Sequence, residues 1–361
     1  MSESIPKPAV TRLASLDTLR GVAVLLVLGA HLPKMKFESA IGFGLRAWQQ
    51  IGWIGVDLFF VLSGFLVSGL LFRSWKEHGR LNAGRFLLRR AWKIYPAFYV
   101  MLGIVLIYRA SMGLSTPSAW ALSEALFVQN YWSGLFPHSW SLAVEEHFYL
   151  ILPLLLYALR GKKERPFARL PFVFLLVAIA CLTMRICTAW DGTAPIFHIY
   201  QPTHLRFDSL LFGVLIGWLY AFHQPALATF TEKWRKPLAL TSIALASVPA
   251  IWTLGTAWAI PTIALTGLWL SAGILLTLTI FSPTPIQRGA IAWLGTYSYS
   301  IYLWHFTARL MIMPFLLRPE QLGGALEIAT YFALSIVCGV LSAWLVELPC
   351  LRLRDRLFPS R

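Results

Sequence analysis

The chain has 361 residues, of which 57% are apolar and 13% charged, and its formal net charge is +15. A soluble domain carries about 25% charged residues, so a water-facing globular fold is excluded. The same numbers exclude a disordered chain, a collagen-like fibre and a small disulfide scaffold. An all-α integral membrane protein remains, forming a single domain over residues 1–361.

About 20 mostly apolar residues cross the hydrocarbon core. Ten stretches meet this in chain order: 15–33, 51–72, 95–110, 142–159, 170–189, 208–223, 238–254, 259–281, 291–317 and 326–346. An eleventh stretch, 119–132, is too short to cross and carries Glu124, Gln129 and Asn130, which predicts an interfacial or half-spanning helix. With the N-terminus inside, the inner loops hold 22 of the 31 Lys and Arg and the outer loops 5. This bias places both termini in the cytoplasm. It also removes the nucleic-acid reading of a basic chain, because the charge follows the loops rather than one face.

The first span carries Asp17, Arg20 and His31, and no small-residue cleavage site follows it, so it reads as a retained helix. Arg20 and His31 are eleven residues apart. At about 100° per residue they share one helix face to within about 20°, separated by about 16 Å. Asp17 is placed to pair with Arg20. The plain alternative is an Arg reaching the inner headgroups and a His at the outer interface.

Further ionisable groups lie at the depth of His31: Asp57, the adjacent Glu145 and Glu146, and Arg206 with Asp208. Charges inside spans are costly and mark protein interiors or wet cavities. A carboxylate beside an imidazole raises its basicity and fixes its tautomer for general-base chemistry. Consecutive glutamates are about 100° apart on a helix, so at most one points at His31, with Glu145 preferred. A structural ion pair between helices is the alternative for either.

The second span contains Ser63 and Gly64 in Gly55-Val-Asp-Leu-Phe-Phe-Val-Leu-Ser-Gly-Phe65, small residues that let a neighbour or ligand approach. The cytoplasmic stretch 73–94 follows with seven basic residues, among them Arg89, Arg90 and Lys93. Such a cluster either touches anionic lipid as a topology signal or grips a phosphate-rich ligand. The ninth span carries a polar stripe of Ser298, Tyr299, Ser300, Tyr302 and His305, which either lines a cavity or knits helices together. The four cysteines show no metal or disulfide spacing, and no metal is expected.

Together these elements resemble the acyltransferase-3 family of bacterial membrane O-acyltransferases, along nearly the whole chain. The matching elements are Arg20 through His31, the 55–65 stretch, Arg89-Arg90-Ala-Trp-Lys93-Ile-Tyr-Pro96, and Trp140-Ser-Leu-Ala-Val-Glu145-Glu146. The pair Arg206/Asp208 and the stretch Ser298–His305 complete them. The resemblance implies transfer of an acyl group, usually acetyl, from cytoplasmic acyl-CoA as donor substrate to a hydroxyl of a cell-surface glycan or its lipid-linked precursor. Polysaccharide, lipopolysaccharide and exopolysaccharide are acceptors of that kind. No permanently bound cofactor is implied, and the setting is the bacterial inner membrane.

It implies that His31 and Arg20 are the essential pair and that Arg89, Arg90 and Lys93 lie near the CoA phosphates. From their depth and packing, Glu145, Glu146 and Asp57 are further catalytic candidates and Ser63 and Gly64 further donor contacts. Trp140, Arg206, Asp208, Tyr299, Tyr302 and His305 would line the acceptor cavity. Lys93 replaces a frequent Arg, and His147 a frequent Gln. The esterase-like domain of some relatives is not expected. The alternatives are an acyltransferase for a small molecule, such as a macrolide or a lipid headgroup, and a polytopic transporter.

Overall fold

The computed structural model describes residues 14–33, 40–162, 164–190, 192, 195–251, 260–281, 289–318 and 324–358. The charged positions at 34, 36 and 288 lie outside them. Among the described residues the chain is helical and without strands. The first helices are α1 (Ala14–Ala30), α2 (Ala40–Ile51), α3 (Ile54–His78), α4 (Ala83–Ser111), α5 (Ser118–Ala125) and α6 (Trp140–Leu159). Then come α7 (Leu170–Ala189), α8 (Ile196–Tyr200), α9 (Phe207–Phe222), α10 (Gln224–Lys233), α11 (Arg235–Ile251) and α12 (Leu265–Ile280). The chain continues through α13 (Ala290–Thr296), α14 (Ser298–Met311), α15 (Met313–Leu316), α16 (Ala325–Ser342) and α17 (Leu348–Leu357).

Six helical stretches are long and apolar enough to cross a membrane, and the pair α9 and α10, bent by 110°, adds a seventh. The ten expected spans are therefore more than length and composition support among the described residues. Each expected stretch is helical over most of its described residues, but α1 and α11 have 17 residues each, and the ninth is broken into α13, α14 and α15. Pro225 near the start of α10 supplies no backbone N–H, which suits it to a fresh helix start at the bend.

Two boundaries differ from expectation in ways that matter. α4 begins at Ala83, where the Asn82 side chain accepts from the Arg85 backbone N–H at 3.2 Å, so Arg89, Arg90 and Lys93 ride on a helix rather than a loop. α2 occupies most of a stretch expected to be an outer loop. The short helix expected over 119–132 is shorter: α5 has eight residues and an irregular segment follows to Ser139.

The most extensive helix contact is between α3 and α9. A Cβ on Gly64 would strike the Leu210 carbonyl, and one on Gly213 would strike that of Val61. Small residues here allow the two backbones to touch, as is common in membrane helix pairs. α16 passes through a π-helical turn, Ala343–Glu347, into α17 and lies against α14. The largest buried apolar cluster joins residues of α1, α3, α4, α6, α9, α14 and α16 around the site.

Candidate active site

Two cavities lie end to end between these helices. The first, of about 300 Å³, is lined by Arg20, Ser63, Arg90, Lys93, Glu145, Tyr149 and Tyr299. It gathers cations from α1 and α4 against one carboxylate of α6. The Arg90 guanidinium sits over the rings of Phe86 and Tyr149, at 5.9 and 5.7 Å, contacts that stabilise a desolvated cation. Tyr149 donates to Glu145 Oε2 at 2.8 Å, and its hydroxyl is 2.6 Å from Ser63 Oγ. Beyond Leu70, a further pocket of about 370 Å³ carries Arg73, Arg80, Arg85 and Arg89.

The second cavity, of about 290 Å³, is lined by His31, Asp57, His138, Trp140 and Arg206, with Gln49 of α2 at its edge. Val56 and Tyr302 line both cavities. His31 follows the last residue of α1, where carbonyls are left without helical donors. Other helices supply these donors: Arg309 to the His31 carbonyl at 2.8 Å, Gln49 to Leu32 at 3.0 Å and Tyr331 to Leu28 at 3.1 Å. The end of α1 is thereby fixed, and the Arg309 charge also suits the negative end of the helix.

The imidazoles settle their own tautomers. His305 Nδ1 lies 2.6 Å from the Tyr302 carbonyl and His31 Nδ1 lies 2.9 Å from that of Val27. A carbonyl can only accept, so both Nδ1 atoms carry the proton. His305 Nε2, then a lone pair, is 3.3 Å from His31 Nδ1. Neutral His31 therefore has its free lone pair on Nε2. A third imidazole, His138, packs against His305 with ring centroids 4.8 Å apart. Burial, followed by the nearby His31, pushes its pKa down to about 3. Glu124 braces the loop that carries His138, accepting from the Leu135 and Phe136 backbone N–H groups and from Ser139 Oγ, at 2.9, 3.1 and 2.9 Å.

Several expectations need correction. Neither Glu145 nor Glu146 is hydrogen-bonded to His31: Glu145 faces the arginine cavity, and Glu146 accepts from Tyr95 at 2.9 Å. The carboxylate expected beside the imidazole is replaced by His305. Arg206 and Asp208 pair crosswise, Arg206 with Asp57 at 2.6 Å and Asp208 with Arg185 at 2.8 Å. Trp269 also donates to Asp208 at 3.0 Å, so Asp208 braces α9 against its neighbours instead of lining a cavity. Gly64 faces α9 rather than a ligand.

Of the basic trio, Arg90 faces the cavity. Lys93 also lines it but is ion-paired to Glu347, whose other oxygen accepts from Ser300 at 2.7 Å. Arg89 is held by Asp355 at 3.0 Å and by the Phe358 carbonyl at 2.7 Å. Arg20 has no carboxylate partner among the described residues, so the expected pair with Asp17 does not form. Sequence reasoning missed His138, Gln49, Arg309 and Glu347 as site residues. A charge inside an apolar run was the available signal for the last two. No cluster suited to a metal ion is present among the described residues.

Comparison with known proteins bears on what this arrangement does. The sequence profile of the acyltransferase-3 family, described as an acyltransferase domain, matches residues 13–347. Peptidoglycan O-acetyltransferase OatA of Listeria monocytogenes is 30% identical over 350 residues, covering 89% of this chain and 53% of that protein. YrhL of Bacillus subtilis, provisionally named a peptidoglycan O-acetyltransferase, is 27% identical over 83% of this chain and 49% of its own length. A Staphylococcus aureus protein provisionally named an O-acetyltransferase is 26% identical, over 92% of this chain and 56% of its own. The chain thus spans about half the length of the curated relatives it matches. No solved structure matches it significantly.

Proposed function

Because the chain belongs to the acyltransferase-3 family, we propose that this multi-pass membrane protein is an O-acetyltransferase. It moves acetyl from acyl-CoA to a hydroxyl of a cell-surface glycan or its lipid-linked precursor. The named relatives point to peptidoglycan as the acceptor class. The donor enters from the arginine end, taken as the cytoplasmic side because the basic loops cluster there. Its nucleotide phosphates meet the pocket of Arg73, Arg80, Arg85 and Arg89, and its pantetheine arm runs past Arg90 and Arg20. Arg is suited to phosphate because its planar fork can bond two oxygens at once.

One observation carries the reading: both carbonyl-bound Nδ1 atoms leave His31 Nε2 as a lone pair in a neutral ring. Nε2 takes the proton of the acceptor hydroxyl, and that oxygen adds to the thioester carbonyl carbon. The C–S bond breaks, CoA thiolate leaves, and the imidazolium returns a proton to it. His138 lines the same cavity and is the group to hold the acceptor hydroxyl.

Purified protein in lipid nanodiscs, given acetyl-CoA and a panel of glycan fragments, tests the proposal by thiol release and product mass. The wild type releases thiol in step with acetylated product. His31→Ala lowers the rate by about 10²–10⁴-fold, the usual contribution of a general base. Wild-type rates from His31→Ala at normal membrane levels overturn it.

A further inference from the structure

Arg20 lies on α1 and His31 directly after its end, and they open into different cavities. The side chains lining both are Val56 and Tyr302. Tyr302 is held at both ends. Its hydroxyl donates to the His138 carbonyl at 2.6 Å and lies 2.6 Å from Ser141 Oγ of α6. Its own carbonyl accepts from His305 Nδ1 at 2.6 Å. Tyr302 is 6% exposed, so its side chain is packed and not a loose flap. Tyr302 therefore stands where the arginine cavity and the His31 cavity adjoin.

We infer that Tyr302 is a specificity-determining partition: its ring divides the thioester side from the hydroxyl side and sets the length of acyl group that passes. This rests on the acyl-CoA reading above. Two consequences follow from the geometry. A short acyl group needs a small displacement of the ring, whereas a longer chain needs the ring removed from the opening. The ring also keeps water of the histidine cavity from the thioester. Without it, a water oxygen adds to the thioester carbonyl carbon, the C–S bond breaks, and the thiolate leaves and is protonated. The products are a carboxylic acid and free CoA.

The test uses full-length protein in nanodiscs with acetyl-, butyryl- and hexanoyl-CoA, with and without glycan fragments. Tyr302→Ala is expected to raise acceptor-independent thiol release several-fold and to shift preference towards the longer donors. Tyr302→Phe keeps the ring and is expected to keep the wild-type chain preference. A second readout needs no chemistry. In a background with Cys181, Cys187, Cys338 and Cys350 changed to alanine, Leu66→Cys places a thiol on the wall of the arginine cavity. In sealed vesicles of known orientation, a membrane-impermeant thiol reagent added to one side at a time is expected to reach residue 66 from one face of the membrane, and from both faces once Tyr302→Ala is added.

Unchanged chain preference together with one-sided labelling in Tyr302→Ala overturns the partition. If the wild type releases no thiol from any acyl-CoA with any acceptor, the donor reading fails, and the labelling decides the partition by itself.

Discussion

His305 Nε2 lies 3.3 Å from His31 Nδ1, and each ring gives its Nδ1 proton to a backbone carbonyl. The catalytic candidate is thus oriented by a second imidazole and by the main chain, without a carboxylate. A neutral neighbour raises the basicity of an imidazole less than a carboxylate does. The gain is that an uncharged His305 can be buried completely at little cost, whereas an unpaired carboxylate at that site is expensive.

His305→Ala is therefore expected to lower the transfer rate by about 10–100-fold, by analogy with the loss of a partner that orients a metal-bound imidazole. His305→Asn, which keeps a polar group next to His31, recovers part of it. The pH dependence of the rate separates orientation from folding, because a merely structural role leaves its shape unchanged.

Asp57 and Arg206 form an ion pair buried on both sides, at 2.6 Å. Removing one partner leaves the other charged and unpaired, which costs about 3–5 kcal/mol, while replacing both with apolar residues is often neutral. Asp57→Ala and Arg206→Ala should each lower the melting temperature in detergent, and Asp57→Leu with Arg206→Met should recover most of the loss. Activity measured on the stable double variant shows whether the pair also serves the reaction.

Arg90 and Lys93 are separated by their partners. Arg90→Ala is expected to raise the apparent KM for acyl-CoA about tenfold or more, the loss of one charge-assisted contact, with little change in melting temperature. Lys93→Met instead leaves the buried Glu347 without its cation, and its first effect is on stability. Titration of acetyl-CoA beside thermal unfolding distinguishes the two outcomes.

Gly64→Ala places a methyl group against the Leu210 carbonyl. Overpacking of this kind costs about 1–3 kcal/mol. The melting temperature falls, while the apparent KM for acyl-CoA in the fraction that folds stays close to wild type. A large KM effect without loss of stability would return Gly64 to the donor site.

How far the sequence announced this site depends on whether a feature is local. Arg20 lies on α1 and His31 directly after it, so their relative placement is local and follows from spacing, and both do open into cavities. The polar stripe of α14 admitted two readings, and both hold: Tyr299 and Tyr302 line cavities, while Ser300 ties to α16 and its extension. Partner choice was not legible. Asp57 and Arg206 are 149 positions apart, and the crosswise pairing with Arg185 depends on how α3, α7 and α9 cross. The carboxylate expected beside His31 failed for the same reason, since α6 turns Glu145 towards Arg90 and Glu146 towards Tyr95. α2 escaped notice because two glycines and a Gln-Gln pair interrupt its apolar pattern. His138 lies on an irregular loop whose path is set by Glu124, and no periodicity marks such a position.

The π-helical turn at Ala343–Glu347 admits one residue more than a regular helix would hold over the same rise. It sets the rotational phase of everything after it, and two distant bridges depend on that phase: Glu347 to Lys93 within the bundle and Asp355 to Arg89 near its rim. Both bridges end on α4, so the turn acts as a keyway that locks the tail to the basic helix. Deleting a single residue from the regular helix just before it would instead rotate Glu347 and α17 by about 100° and disengage both bridges together, a coupling that separate substitutions at either bridge would not show.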